Sequence, residues 1–287
     1  MASLRELRRR IKSVESIRGI TKAMEMISAV RYKKINTRYR KATPFFAGLE
    51  RLVGRIASEE LTALNPYFEA RPKKRELLLV ITGDRGLCGS FNSAILKELQ
   101  KYMAADDARE LVLYPVGKVA AGFARRRELK VWKSWIDIGY QFTPDSLKEK
   151  LGEVTQAYLS GEFDAVNVLT VTLSRSGQAK PVIEPFLNLS YLLKKADPAA
   201  VEVDYIFEPE KAGVLTALIE LFVKQKFFIL FLRSVTAEYF ARMVAMKQAT
   251  ENGKEVIKKL TLDRNKVRQA MITRELSEII GGSNALQ

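Results

Sequence analysis

Residues 77–99 read LLLVITGDRGLCGSFNSAILKEL. Five apolar residues, Leu77 to Ile81, run into a turn with glycines at 83, 86 and 89, and a helical pattern opens near Ser93. Strand, glycine turn and helix make the first half of a βαβ unit, so this stretch sets the fold class. It also raises the question of a bound phosphate. A Walker loop needs Lys-Ser or Lys-Thr behind its last glycine. Here Ser90-Phe91 follows Gly89, with no lysine at hand. The dinucleotide fingerprint needs a closely spaced first glycine pair and an acid about 20 residues on. The spacing here is three throughout, and the candidate acids, Asp106 and Asp107, precede the second strand. The loop therefore reads as a backbone turn, with Asp84 and Arg85 available for surface contacts.

Outward from this unit, residues 75–200 alternate. Strands are predicted at 76–82, 111–116, 130–136, 164–173 and 180–189, and helices at 91–104, 117–127 and 144–160. Alternation of this kind gives an open, mainly parallel, Rossmann-like sheet with helices on its faces. Residues 194–210, with Asp197-Pro198 and Glu208-Pro209, read as a return connection.

The ends behave differently. The first proline is Pro44 and the last is Pro209, so both ends are free to form long helices. Leu4, Leu7, Ile11, Val14, Ile17, Ile20, Met24, Ile27 and Val30 follow steps of three and four, a narrow seam with a local overwinding between Val14 and Ile20. Val53 and Ile56 carry the helix past Pro44, over 1–57. A second seam, Leu215, Leu218, Phe222, Ile229, Phe240, Val244, Val256, Leu260, Val267 and Met271, marks a helix over 211–283, with Gly281-Gly282 as its stop. Helices this long do not pack as ordinary core helices. They are predicted to wind around each other as an antiparallel coiled coil, with the α/β body inserted between them.

Charge follows the same division. The net charge is +15. Residues 1–41 hold thirteen Lys or Arg against three acids, and residues 242–274 hold nine against three, so the excess lies on the long helices. A basic rod calls for an anionic partner. Histidine is absent, which excludes Ser-His-Asp catalysis and imidazole metal sites, and the single Cys88 excludes an internal disulfide and a thiolate zinc site. Glu25, Asp164 and Glu184 are scattered acids without recognisable catalytic partners. No catalytic, cofactor or metal residue is assigned. Aromatics do not interleave with the basic residues as a nucleic-acid stacking surface requires. A basic coiled coil binding nucleic acid remains the alternative, and an enzyme using the glycine loop is a third reading.

Three strings complete the pattern: GITKAMEMISAV at 19–30, ARMVAMKQATENG at 241–253 and ITRELSEIIGG at 272–282. Together with GDRGLCGSFN they resemble the gamma subunit of the F-type ATP synthase, in order and over the whole chain. The resemblance implies a non-catalytic rotor shaft. Its coiled coil would turn inside a hexamer of alpha and beta subunits that holds the nucleotides. Its body would rest on the epsilon subunit and a membrane-embedded ring of c subunits driven by protons. Lys22, Met24, Glu25 and Arg242 match the family's hexamer-facing stretches, and Arg268, Gln269, Thr273 and Glu275 its contacts near the tip. Tyr205 and Glu208 match the foot on the ring. The Gly281-Gly282 pair departs from the family's usual glycine then alanine. The absence of a redox insert and a transit peptide implies a bacterial form, peripheral on the cytoplasmic face of the inner membrane.

Overall fold

The structure, a computed structural model, describes residues 3–56, 65–69, 71–72, 74–105, 109–173, 179–194, 207–208 and 210–284. In order these form α1 (Leu4–Ile56), β1 (Arg75–Ile81), α2 (Phe91–Ala104), β2 (Glu110–Val116), α3 (Lys118–Arg126), α4 (Lys148–Leu159), β3 (Ala165–Leu173), β4 (Ala179–Leu187), α5 (Tyr191–Lys194) and α6 (Lys211–Asn284). The chain divides into two compact units, Val30–Ala241 and Met1–Ala29 with Arg242–Gln287. No helix among the described residues is long and apolar enough to cross a membrane.

In the first unit the sheet order is β2-β1-β3-β4. β1 pairs in parallel with β2 (Leu77 opposite Val112) and with β3 (Leu78 opposite Asn167), and β4 returns antiparallel to β3 (Glu184 opposite Val168). The expected mainly parallel sheet is therefore present, with one antiparallel edge. Side chains alternate across a strand, so the unbroken apolar run of β1 serves two cores. Leu78 and Val80 join Ile95 and Leu99 of α2 and Ala120 and Ala124 of α3. Leu77, Leu79 and Ile81 join Val154 and Tyr158 of α4, Ile35 and Val53 of α1, and Phe222, Phe227 and Phe231 of α6. Residues 227–232 of α6, FFILFL, are buried all the way round. A helix apolar on every side belongs inside a body. The body thus includes the inner lengths of both long helices.

Two expected elements differ. Residues 130–136 do not form a named strand. They lie along the free edge of β2 through two parallel bridges, Leu113 to Val131 and Val116 to Trp135. Leu113 N donates to Lys130 O (2.8 Å) and Trp135 N donates to Pro115 O (2.9 Å). A strand residue points its N–H and C=O the same way, so Pro115 lacks its donor on this very edge, and the ladder breaks there. The helix expected from 144 begins at Lys148, because Thr143 and Ser146 bond reciprocally, backbone N–H to hydroxyl, and close a turn first.

One buried ion pair ties the sheet to α2. Glu76, fully buried on β1, accepts from Arg109 Nη1 (2.9 Å), Tyr102 Oη (2.9 Å) and Asn167 Nδ2 (2.8 Å). Removing one partner of such a pair leaves a buried charge, whereas removing both is often neutral. Arg109→Met is expected to destabilise the chain by about 3–5 kcal/mol, and Glu76→Leu with Arg109→Met to recover most of it. Urea unfolding of the three proteins measures both.

The tyrosines give a pH edge. Burial pushes the Tyr114 phenol up to about 12, and it also raises Tyr67, Tyr102, Tyr158 and Tyr191. These groups stay neutral in the fold while the unfolded chain ionises near pH ~10. Their stabilisation is complete below that pH and falls as pH rises through the folded-state values. The urea midpoint is expected to drop above pH ~10, with phenolate absorbance rising in the same transition.

In the second unit, Thr250 Oγ1 lies 3.0 Å from Thr21 Oγ1. A Cβ built on Gly253 would meet Arg18 Cβ at 3.4 Å. Three residues up one helix is three residues down the other, so the pair is antiparallel. Positions 4, 7, 11, 14, 18, 21, 25 and 28 of α1 are all buried or half-buried, an unbroken alternation of three and four that needs no overwinding, with Glu6, Met24 and Ala29 half-buried on its flanks. The expected seam is corrected here. Ile17, Ile20, Ile27 and Val30 lie outside it, and Arg18, Thr21, Glu25 and Ser28 lie within it. The matching positions of α6 are 243, 246, 250, 253, 257, 260, 264 and 267. Val244, Val256 and Met271 face outward. Gly281-Gly282 do not stop α6, whose backbone stays helical through Asn284.

Candidate functional site

The glycine loop comes first, because its chemistry is decided by its own hydrogen bonds. The N-terminus of α3 aims its free amides at the end of β1. Asp84 Oδ1 accepts from Lys118 N (3.0 Å) and from Asp137 N (3.2 Å), and Thr82 Oγ1 accepts from Ala120 N (2.9 Å). Gly83 N donates to Asn92 Oδ1 (2.9 Å). The amides of Gly83, Lys118, Ala120 and Asp137 around the loop are thus taken by the chain's own side chains, and one of the acceptors is a carboxylate that repels an anion. Gly117 adopts φ +96°, and Gly83 lies close against α6, since its Cβ would meet Glu238 Oε1 at 2.8 Å. The glycines serve a tight turn docked against α6. Equilibrium dialysis with ATP or NAD is expected to show no saturable binding to the isolated chain; micromolar binding would overturn this.

The surface of the coiled-coil unit is the stronger candidate. Polar residues sit inside its seam: Ser28 and Thr250 are buried, each hydroxyl bonded to its own helix at Met24 O (2.7 Å) and Met246 O (2.8 Å). Apolar residues sit outside. Ile17 is 56% exposed, Ile20 60% and Ile27 51%. Met26 is exposed as well. Contiguous exposed apolar surface rimmed by charge marks an interaction site. Past Val267 the α6 seam has no counterpart on α1, which begins at Leu4, and every residue from Arg268 to Ile280 is exposed. Leu276, Ile279 and Ile280 are among them.

The residues singled out from sequence fall on both kinds of surface. Lys22 is exposed and pairs with Glu25 (3.1 Å). Glu25 occupies a seam position, level with Met246 in the register that joins Thr21 to Thr250, and Met24 is half-buried beside it. Arg242 is buried at the inner end of the unit, so it is not an open surface charge. Arg268, Gln269, Thr273 and Glu275 are all exposed on the unpaired length of α6. Thr273 O accepts from Ser277 Oγ (2.9 Å), and Arg274 pairs with Glu278 (2.8 Å) next to them. Glu208 is exposed, and Tyr205 lies outside the described residues. The outer isoleucines were missed as surface residues because spacing by threes and fours assigned them to the seam. The strict heptad from Leu4 through Ile56 was the signal that excludes them.

The chain matches the family model described as ATP synthase over residues 3–286. It is 37% identical to the ATP synthase gamma chain of Pelotomaculum thermopropionicum, covering 100% of both chains. It is 34% identical to the ATP synthase gamma chain of Moorella thermoacetica, again over 100% of both. Among solved structures, it is similar in fold to a chain of the Euglena gracilis mitochondrial ATP synthase, OSCP/F1/c-ring in rotational state 3. That match has a TM-score of 0.66 and 18% identity, over 99% of this chain and 94% of that one. A chain of the central stalk/c-ring structure from the Tetrahymena thermophila mitochondrial ATP synthase matches with a TM-score of 0.59 and 24% identity, over 80% and 99%.

Proposed function

The chain belongs to the ATP synthase gamma chain family and is, as such, the non-catalytic central-stalk subunit of that membrane-associated complex; on that premise we propose how its surfaces do the work. The coiled-coil unit turns inside the hexamer of alpha and beta subunits, which hold the nucleotides and perform the chemistry. The body sits on the epsilon subunit and the ring of c subunits, at the cytoplasmic face of a bacterial inner membrane. Proton flow through the ring turns the chain, and the asymmetric shaft drives the catalytic subunits through their nucleotide-binding states.

One observation carries this reading: from Arg18 to Ser28 the α1 seam is polar while isoleucines line the outside, and the tip of α6 is bare. A helix pair built that way gains little from its own interior and is completed by a surrounding protein surface. Lys22, Met24 and Glu25 meet the hexamer along the shaft, with the buried Arg242 supporting that stretch from beneath. Arg268, Gln269, Thr273 and Glu275 meet it near the tip. Tyr205 and Glu208 meet the ring and the epsilon subunit. The charged contacts at Lys22 and the tip are exposed, so each is worth only ~0–1 kcal/mol, as suits contacts exchanged at every step of rotation.

The test is capture of the tagged chain from membranes stripped at low ionic strength. Recovery of two nucleotide-binding subunits, each in about threefold excess over the chain, supports the rotor. Their absence, with tight and steeply salt-dependent binding of DNA or RNA instead, favours the nucleic-acid reading.

A further inference from the structure

An irregular segment of the body, residues 137–147, lies across both long helices, and it holds them by a specific chemistry. Arg31 and Arg38 stand one heptad apart on α1. The Arg31 guanidinium sits 4.6 Å from the centre of the Tyr140 ring and 5.7 Å from that of Tyr239, and it donates to Tyr239 Oη (3.1 Å). The Arg38 guanidinium sits 5.7 Å from the Phe142 ring and 5.8 Å from that of Phe228, and it donates to Phe142 O. Tyr140 and Phe142 belong to the segment, whereas Tyr239 and Phe228 belong to α6. Tyr140 also meets Tyr239 edge-on (5.9 Å), and Phe142 meets Phe228 and Phe231 in the same way (5.9 Å each). Each arginine is therefore shared by an aromatic from the segment and an aromatic from the opposite helix.

We propose that residues 137–147 form a belt that locks α1 to α6 within the body, with Arg31 and Arg38 as positioning residues for the transmission of torque. This rests on the rotor reading above and deepens it. The chain leaves α1 only after Ile56 and joins α6 only at Lys211. Arg38 stands 18 residues before Ile56, or roughly 27 Å along the helix. Apolar side chains alone would let α1 slide against the body, whereas α6 has further polar ties of its own to β4, from Arg233 to Glu184 (2.9 Å) and from Lys226 Nζ to Pro185 O. Guanidinium–ring contacts and hydrogen bonds resist that sliding, because the hydrogen bonds hold direction as well as distance. The segment is itself pinned at both ends. Asp137 N donates to Asp84 Oδ1 (3.2 Å) at one end, and Lys224 of α6 pairs with Asp145 (2.9 Å) at the other.

The test uses Arg31→Ala with Arg38→Ala, in the full chain and in the assembled complex. In the isolated chain, amide hydrogen exchange over residues 28–42 is expected to speed by about tenfold or more, while exchange in β1 and β3 is unchanged. In inverted membrane vesicles, ATP hydrolysis is expected to continue while protons pumped per ATP fall by about threefold or more. Arg31→Lys with Arg38→Lys is expected to restore only part of that ratio, since lysine keeps the charge and loses the planar fork. Unchanged exchange over 28–42, or an unchanged pumping ratio, overturns the belt. If the double variant does not fold, Tyr140→Leu is read by the same two measurements and the same criteria. Failure of the unmodified chain to enter the complex counts against the rotor reading, and the exchange measurement still decides the belt.

Discussion

Gly117→Ala is expected to unfold the body, or to cost it about 4 kcal/mol or more. Gly117 joins β2 to α3 at φ +96°, outside the region that residues with a Cβ occupy. A Cβ there would lie 2.3 Å from Thr82 O and 2.9 Å from Thr82 C. Both are backbone atoms, and Thr82 is held in place twice, by N–H donation to Val116 O (2.8 Å) and by its hydroxyl to the same carbonyl (3.2 Å). Gly117 itself donates to Trp135 O (2.7 Å), which anchors the segment along the β2 edge. Relieving the clash means parting β1 from β2 at the carboxyl end of the sheet. Gly152→Ala is the matched control: it lies inside α4, nothing stands within 4 Å of its Cβ position, and alanine gains helix propensity there, for a stabilisation of about 0.5–1 kcal/mol. Urea unfolding followed by circular dichroism measures both. A Gly117→Ala chain within about 1 kcal/mol of the original would mean that the turn is not held as described.

The position of Gly117 also shows which parts of this fold a single sequence discloses. The strand–turn–helix of residues 77–99 is readable because each step has its own local marker: a run of β-formers, glycines, then a 3.6 period. The requirement at Gly117 is not readable, since it comes from Thr82, 35 residues earlier in the chain. The segment at 130–136 was read as a strand from its composition, and it does lie along the sheet. What breaks it is a proline on the neighbouring strand. The long helices were readable from their length and freedom from proline. Their inner lengths were harder, because the body buries residues 227–232 on every side and erases the stripe that marks a surface helix. The seam itself was misread for a physical reason. Spacing arguments assume that apolar residues face the partner helix. Here polar side chains satisfy themselves on their own helix carbonyls, as Ser28 and Thr250 do, and so tolerate the interior. The isoleucines are thereby released to the outside. The sequence resemblance pointed to Lys22 to Glu25 and Arg268 to Glu275 as expected contacts, but not to the exposed isoleucines of α1.

That surface supports the second large effect. Ile20→Asp with Ile27→Asp is expected to leave the isolated chain folded and to abolish its coupling in the complex. In the isolated chain both side chains are more than half exposed, so new carboxylates stay in water and change stability by about 0.5 kcal/mol or less each. Inside a protein sleeve the same carboxylates lose their water. An unpaired buried charge costs several kcal/mol in practice, and two of them are expected to weaken the grip of the hexamer by about a thousandfold or more. Ile11→Asp reverses the pattern. Ile11 is buried in the seam, so its carboxylate harms the isolated chain first. Melting of each purified chain by circular dichroism, beside ATP-driven proton pumping by the reassembled complex, separates the two cases. Under the nucleic-acid alternative, the Ile20 and Ile27 changes would only lower a salt-dependent affinity by adding negative charge, and neutral Ile20→Ser with Ile27→Ser would do nothing. Under the rotor reading the serine pair also costs function, because the apolar contact is gone. A complex that pumps normally with aspartate at both positions would mean that this face of the shaft looks into water, and the argument from its exposed isoleucines would fail.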